Sequence, residues 1–539
     1  MFFIAKKLPR PKAPGEPLLH QNHRRPVTRR ELLGAGLASA PAMVVGPAWL
    51  AAALKPGNAQ ALTLVNGLIQ ECGLQHSASK LPVICFDLAG GANLVGSEVI
   101  VGQKGGQANF LTTAGYGKMG VPGNMVPSAA GFTDSTFGLL WHSDGAILRG
   151  MKTKATSPAT AAGTNGAVIC AMSQNDTGQN PHNPMYGIAA TGAKGSLLNL
   201  VGNQSSVSGG NSAAYMPNPL FQPTTIAVPG DDVALVSTGG AKADPLSINV
   251  DETQAAISGG TVALDGSSGS GVPFDGSVLG APNNGAGVNL IANDTAKDQA
   301  LKSQVRCAYV GAAYTAEQFG DPSALDPTQD PLITGAGGGT PIFTPTDFQD
   351  SDIKKTASVM KLVCRGFAAA GTITLGGYDY HDSTRATGEQ RNFKAGQMIG
   401  AVLEYAQRVG TPLMVYVFSD GALSSSAMVD NSVNGRGKLA WQGDNQSVSS
   451  VFFLAYSPAG RPQLINGAAS QQIGWFTADG SVDSTSSPAA NSVMQIPEVM
   501  LLNFLALQGR GGEFGSTFPM QGLGSAAAQA ALTAFAPIV

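Results

Sequence analysis

The series of elements between residues 350 and 418 constrains the fold most. Apolar residues recur at helical spacing over 350–370, and Thr372–Leu375 then alternates β-branched and apolar residues like a short strand. A second helical pattern covers 389–409 and leads into the apolar strand 412–418. A strand, a crossover helix and a second strand form a βαβ unit, which joins parallel strands. The sequence therefore predicts an α/β fold with a mostly parallel central sheet and helices on both faces.

Three further apolar runs extend this sheet, at 81–88, 167–173 and 451–456. Such nearly continuous runs are typical of strands that are buried on both faces. Helical patterns at 294–320 and around 496–507 would cover the sheet. Residues 203–295 are rich in Gly, Ser, Asn and Pro, with short β-like pieces such as Val233–Val236, and we interpret them as a β-rich insertion.

The strand at 372–375 ends in Gly376-Gly377, and Asp379, His381 and Asp382 follow directly. Open α/β sheets bind ligands at the carboxyl ends of their strands. Asp379 and His381 are two positions apart, so in extended chain they face the same side. A surface turn with a solvated histidine explains the same pattern without any site.

Polar side chains also follow the other predicted strands. Asp87 and Asp420 come at the ends of two of them, and His182 lies in the polar loop after the strand at 167–173. A turn-stabilising role is the alternative for Asp87. His142 lies in an amphipathic segment, which favours a partly buried structural histidine.

The N-terminal region resembles a twin-arginine export signal. Arg29 and Arg30 precede Glu31 and two leucines, a moderately apolar stretch follows, and Ala59-Gln60-Ala61 offers an A-x-A cleavage site. We expect residues 1–61 to be a signal peptide cleaved after Ala61, and 62–539 to be the mature domain. A retained membrane anchor is the alternative, but two prolines and several glycines interrupt the apolar stretch. The expected partner is the twin-arginine translocase, and the expected location is the periplasm, the cell surface or the medium.

Composition agrees with export and excludes some functions. Only 12% of residues are charged and 70 are glycine. The leader holds nine of the 32 basic and two of the 35 acidic residues, so a mature chain would carry a net charge of about −10. That charge disfavours nucleic acid and anionic membranes as partners, and we expect no stable membrane span in the mature chain. The five cysteines contain no CxxC pair, and Cys85, Cys170 and Cys364 lie in apolar runs typical of buried thiols.

Several motifs, in order, resemble the secreted bacterial family known as domain of unknown function 1501. The residues that carry the resemblance are the twin-arginine leader, Asp87–Asn93 with its glycine turn, the loop around His182, Leu375–His381, Phe418–Gly421 and Gly443–Asn445. That family is regarded as distantly related to the alkaline phosphatase and sulfatase superfamily. The resemblance implies an alkaline-phosphatase-like fold over most of the mature chain.

The resemblance also implies a metal site. In the superfamily, Asp and His residues at strand ends hold divalent metals that flank a nucleophile attacking phosphate or sulfate esters. Carried over to this sequence, Asp379 and His381 would be ligands, with His182 and Asp444 supplementary. Asp87 and Asp420 are further candidates, and calcium, magnesium or zinc is the expected cofactor. No nucleophile stands out; Ser97 and Thr177 are guesses.

This sequence departs from the family pattern at three positions. Asn93 and Asn445 replace an acidic residue and a histidine, and Asp420–Leu423 lacks the family's arginine. Without the leader, four histidines remain (His76, His142, His182 and His381), too few for three-histidine zinc pairs. A single oxygen-rich calcium or magnesium site remains open. Two functions follow: a metal-dependent hydrolase of phosphate or sulfate esters with an incomplete site, or a non-catalytic envelope or surface protein for binding or assembly, with a link to a secretion system as a weaker version.

Overall fold

The computed structural model describes residues 81–173, 179–235, 322–489 and 492–539. Within these residues one eight-stranded sheet carries helices on both faces. The predicted α/β class with a mostly parallel sheet is therefore confirmed. Four sequence predictions lie outside the described residues: the signal peptide with Arg29 and Arg30, its cleavage site at Ala61, the helical pattern at 294–320, and Thr177.

The strands fall into one large and two small sheets. In chain order they are β1 (Val83–Ala89), β2 (Thr133–Asp134), β3 (Trp141–His142), β4 (Thr164–Cys170), β5 (Leu198–Gly202), β6 (Thr224–Thr225), β7 (Ala368–Gly376), β8 (Leu413–Ser419), β9 (Leu423–Asp430), β10 (Lys438–Asp444), β11 (Ser450–Tyr456) and β12 (Gln472–Ile473). The large sheet has the order β12-β4-β11-β8-β1-β7-β5-β6. All of its strands are parallel except β11, which runs antiparallel to β4 and β8. The carboxyl ends of β4, β8, β1, β7 and β5 consequently meet at one edge.

The helices form a layer on each face of this sheet. In chain order the α-helices are α1 (Thr113–Lys118), α2 (Ala146–Lys154), α3 (Pro158–Ala162), α4 (Met185–Ala190), α5 (Pro229–Ala234), α6 (Pro331–Thr334), α7 (Ser351–Cys364), α8 (Ala386–Val409), α9 (Gln495–Leu507), α10 (Phe514–Thr517) and α11 (Ala526–Ala531). Side chains of α2, α7 and α8 share one core cluster with Ile84, Phe86 and Leu88 of β1. Side chains of α4 and α9 share the other cluster with Val83 and Cys85. Since alternate residues of a strand face opposite sides, β1 is buried from both sides.

Local sequence signals explain where the main helices begin and end. Asp350 caps α7 by accepting a hydrogen bond from Asp352 N at 2.8 Å. The chain turns at Gly366, whose φ of 74° suits glycine, and enters β7 at Ala368. The helical prediction for 350–370 was therefore wrong at its end. The run of small apolar residues at 368–370 is β-strand because it fills the space between β1 and β5.

The predicted buried elements are otherwise present with shifts of a few residues, namely β1, β4, β7, β8, β11, α8 and α9. The prediction of β structure at Val233 was wrong, because Val233 belongs to α5. Residues 203–235 of the predicted insertion contribute β6 to the edge of the large sheet, and residues 236–295 lie outside the described residues. Cys85, Cys170 and Cys364 are buried free thiols, as predicted. None of the helices in the described ranges is both long and apolar enough to cross a membrane.

A close backbone contact joins the ends of the two central strands. Gly90, just after β1, has a φ of 134°, and a Cβ atom there would lie 2.2 Å from Asp379 N and 2.5 Å from the Tyr378 carbonyl carbon. Tyr378 N also donates a hydrogen bond to Ala89 O at 3.1 Å. Only glycine fits at this contact, both for its backbone angle and for its missing side chain.

We expect Gly90→Ala to destabilise the protein by about 3 kcal/mol or more, because it combines a strained backbone with a backbone clash. Urea unfolding monitored by circular dichroism would measure the change. Gly376→Ala, at the end of β7, is the matched control, since its Cβ meets nothing within 4 Å. That control should stay within about 0.5 kcal/mol of the parent protein. Equal stability of the two variants would contradict the assigned contact.

Candidate functional site

The segment leaving β7 alternates between buried aromatic and exposed polar side chains. Tyr378 and Tyr380 are buried, whereas the side chains of Asp379 and His381 are 61% and 43% exposed. This is the period-two pattern of extended chain. The alternation places the carboxylate and the imidazole side by side on the surface, with His381 Nε2 2.9 Å from Asp379 Oδ1.

The two tyrosines hold this segment against the protein. Tyr378 Oη donates to Arg391 O at 2.9 Å, and Tyr380 Oη donates to Asn392 Oδ1 at 3.1 Å. Asn93 N, from the turn after β1, donates to Tyr380 Oη at 3.1 Å. The sequence interpretation assigned the two tyrosines no role. Their alternation with the polar residues was the signal that they anchor the segment.

A third polar group reaches the pair from the β9–β10 hairpin. Asp444, the last residue of β10, lies so that it, Asp379 and His381 each offer an oxygen or nitrogen atom within 4.8 Å of the others. All three residues are exposed. Within the described ranges, this is the one group of at least three His, Cys, Asp or Glu side chains that lie close enough together to hold a metal ion. We refer to these three residues as the Asp379 cluster.

Buried charges fix the hairpin that carries Asp444. Lys438, at the start of β10, lies 2.8 Å from Glu389 Oε1, and Arg385 Nη2 lies 2.9 Å from the same oxygen. Burial alone would raise the pKa of Glu389, but Lys438 and Arg385 bring it below its usual value. Glu389 lies in the first turn of α8, and Arg385 is the residue directly before this helix. The hairpin is thus attached to the same helix that anchors Tyr378 and Tyr380.

Backbone contacts add to this attachment. Asp430, the last residue of β9, accepts hydrogen bonds from Arg385 N and Ala386 N at 2.9 and 3.2 Å. Trp441 N donates to Thr384 O at 3.0 Å, and the Arg385 guanidinium lies 4.4 Å from the centre of the Trp441 ring. These contacts position β10 beside the segment 378–381.

Asp87 lies apart from the Asp379 cluster and has a different environment. It is fully buried, and its Oδ2 accepts hydrogen bonds from Asn211 N at 2.8 Å and Thr374 Oγ1 at 3.0 Å. Burial raises the pKa of its carboxyl group. Asp87 therefore ties the loop after β5 to the central strands, which agrees with the turn-stabilising alternative.

Asp420 is also buried and serves the glycine turn after β1. Its Oδ2 accepts from Gly90 N at 3.1 Å, and its own N–H donates to Gly90 O at 3.0 Å. Its carbonyl oxygen accepts from Asn180 Nδ2 at 3.0 Å. The structure therefore places Asp420 at the predicted sheet edge. Its side chain there is hydrogen-bonded to the backbone of the turn after β1.

His182 is buried in the loop that follows β4, where its ring stacks on Phe418 with 5.9 Å between centroids. Its Nε2 lies 2.7 Å from Ser173 Oγ, a contact that the sequence interpretation missed. Burial lowers the pKa of His182 to about 4, so its imidazole is neutral at pH 7. His142 is buried too, and burial together with Lys438 lowers its pKa to about 4. The structural role expected for His142 agrees with this environment.

The remaining sequence candidates do not join the Asp379 cluster. Ser97 is fully buried. Asn445, which follows Asp444, accepts hydrogen bonds from the backbone and the hydroxyl of Ser447 and so caps a short turn. Asp382 accepts from Thr384 Oγ1 at 2.8 Å and Thr387 Oγ1 at 2.7 Å. Of the six predicted metal ligands, the structure brings Asp379, His381 and Asp444 together.

Comparison of the chain with protein-family models, curated proteins and solved structures finds no match.

The buried His182 predicts a specific loss of stability in acid. Its pKa is lower in the folded protein, about 4, than the ordinary 6.5, so the unfolded chain binds the proton more tightly. The contribution of the neutral His182 to the unfolding free energy is fully present above pH 6.5 and is lost as the pH falls towards 4. Between these values the unfolding free energy should fall by about 3 kcal/mol more in the parent protein than in His182→Gln.

Urea unfolding at pH 6.5, 5 and 4 would measure this difference. Leu454→Ala removes a fully buried side chain without removing a titratable group. It should lower stability by about 2–5 kcal/mol at each pH and leave the slope unchanged. Parallel pH profiles for the parent protein and His182→Gln would contradict the prediction.

Proposed function

We propose that this protein is an exported, metal-dependent hydrolase of phosphate or sulfate esters with an alkaline-phosphatase-like fold. The observation that carries the proposal is the convergence of Asp379, His381 and Asp444 at the carboxyl edge of a mostly parallel sheet. This edge is where open α/β sheets bind their ligands. The motif resemblance supports the reaction class. The leader with Arg29 and Arg30, cleaved after Ala61, supports export through the twin-arginine translocase.

The donor set suits a divalent transition metal. Two carboxylates and one imidazole are the kinds of ligand that zinc accepts, and catalytic zinc sites commonly use three protein ligands. Calcium and magnesium prefer oxygen ligands throughout, so the imidazole of His381 favours zinc over both. The cluster is exposed, which leaves room for a substrate oxygen beside the three side chains.

Each residue of the Asp379 cluster would have a defined task. Asp379 and Asp444 would supply negative charge to hold the cation, and His381 would bind it through a neutral ring nitrogen. A bound cation would polarise the ester and stabilise negative charge on the transferring group. Tyr378 and Tyr380 would keep Asp379 and His381 facing outward, and the Lys438–Glu389 contact would keep Asp444 beside them.

A second function is a non-catalytic envelope or surface protein that uses the fold for binding or assembly. The observation that favours it is the engagement of Asp87 and Asp420 in contacts inside the protein. With these carboxylates occupied, three exposed side chains could bind a cation without a fully assembled catalytic site.

The first test is metal binding. We expect chelated and dialysed full-length protein to bind one zinc ion, and Asp379→Asn, His381→Gln and Asp444→Asn each to weaken binding more than about tenfold. Isothermal titration calorimetry and elemental analysis would measure affinity and stoichiometry. Asp382→Asn is the matched control, because its carboxylate is exposed in the same segment but bonded to Thr384 and Thr387. Absence of bound metal, or equal loss in the control, would refute the assignment.

The second test is turnover. We expect zinc-loaded protein to cleave at least one member of a panel of aryl phosphates and sulfates, and Asp379→Asn to abolish that cleavage. Cleavage that survives both chelation and Asp379→Asn would contradict the proposed metal-dependent reaction. Stoichiometric zinc without any turnover would instead favour the non-catalytic function.

A further inference from the structure

An arginine from α8 lies over the glycine pair that ends β7. A Cβ atom on Gly377 would lie 3.0 Å from both Cζ and Nη2 of Arg391, so the guanidinium fills the space where a side chain at 377 would be. Arg391 Nη1 also donates to Gly376 O at the long distance of 3.5 Å. Gly377 has a φ of 84°, so glycine is favoured there both for its backbone angle and for the space that it leaves.

The guanidinium of Arg391 has no acidic partner in the described part of the chain. Six other described arginines form ion pairs with carboxylates: Arg149, Arg365, Arg385, Arg408, Arg436 and Arg510. Arg461 donates from Nη2 to two carbonyl oxygens, Thr136 O and Ala161 O, at 2.9 and 3.1 Å. Arg391 is exposed, and the long contact with Gly376 O is the one hydrogen bond of its side chain to the described residues. Most of its five N–H donors therefore remain available to a ligand.

The position of Arg391 relates it to the Asp379 cluster. Gly377, Asp379 and His381 are exposed, while Tyr378 and Tyr380 between them are buried. Gly377 lies only two residues before Asp379, and the guanidinium of Arg391 packs against Gly377 on the exposed part of this segment. The Cα atoms of residues two apart in a chain are separated by at most roughly 7 Å. A small oxyanion ester can bridge that distance.

We propose that Arg391 binds the anionic group of the substrate, a phosphate or sulfate ester, while the Asp379 cluster holds the cation beside it. The inference rests on the proposed function and adds to it the residue that recognises the anion. A guanidinium matches the geometry of phosphate and sulfate oxygens with two parallel N–H donors. Because two carboxylates offset the charge of a divalent cation, a neighbouring guanidinium would add the positive charge that attracts the anion.

The test titrates inorganic phosphate, and separately sulfate, into zinc-loaded full-length protein by isothermal titration calorimetry. We expect Arg391→Gln to weaken binding of the anion roughly tenfold to hundredfold, because charge-assisted hydrogen bonds are lost. Arg391→Lys should recover part of the affinity, since it restores the charge but not the paired donors. Arg461→Gln is the matched control and should bind the anion like the parent protein. Zinc affinity and melting temperature should be unchanged in Arg391→Gln.

The outcomes separate this inference from the proposed function. If zinc binds but all four proteins bind phosphate equally, or none binds it, the role of Arg391 is refuted while the metal site stands. If the parent protein binds no zinc yet loses phosphate affinity in Arg391→Gln, the anion site is supported and the metal-dependent function is refuted. Equal weakening by Arg391→Gln and Arg461→Gln would reveal a general charge effect and overturn the inference.

Discussion

The backbone contact between Gly90 and the Tyr378–Asp379 peptide determines the geometry of the candidate site. It brings the turn after β1 against the chain leaving β7, at a separation that no Cβ atom at residue 90 would allow. Asp420, directly after β8, is hydrogen-bonded to both the N–H and the C=O of Gly90. The chain segments that follow β1, β7 and β8 therefore meet at Gly90. Once the backbone at 378–379 is fixed there, the alternation of side chains decides that Asp379 and His381 face solvent.

A second constraint acts from the other face of the segment. Glu389, Arg385 and Lys438 form a buried group of charges that connects α8 to the β9–β10 hairpin. Removing one member of such a group would leave an uncompensated charge in the interior, which is much costlier than losing a surface pair. The hairpin is therefore held in one position, and Asp444 at its end has a fixed relation to Asp379 and His381. Tertiary contacts, not local sequence, make these three residues neighbours.

The elements that could be predicted from the sequence are those marked by the spacing of apolar residues or by nearly continuous apolar runs. The apolar runs of β1, β4, β8 and β11 and the helical pattern of α8 are local signals, and each corresponds to an observed element. Asp379 and His381 could be found because glycines followed by alternating polar residues mark a strand end. The Ser173–His182 contact could not be predicted, since it joins two loop positions through the packing of His182 on Phe418. Arg391 was equally hidden, because its relation to Gly377 depends on how α8 packs against the sheet.

The same sheet edge holds acidic side chains of two kinds, and solvation explains the difference. Asp87 is surrounded by protein, and this burial raises the pKa of its carboxyl group. Its Oδ2 accepts hydrogen bonds from Asn211 and Thr374. A metal ligand must be ionised and accessible, so binding at Asp87 would require a cation to enter the protein interior and the loss of those hydrogen bonds. Asp379 and Asp444 face water and meet neither obstacle. Strand-end position alone therefore does not identify a candidate ligand at this edge; solvent exposure separates Asp379 and Asp444 from Asp87.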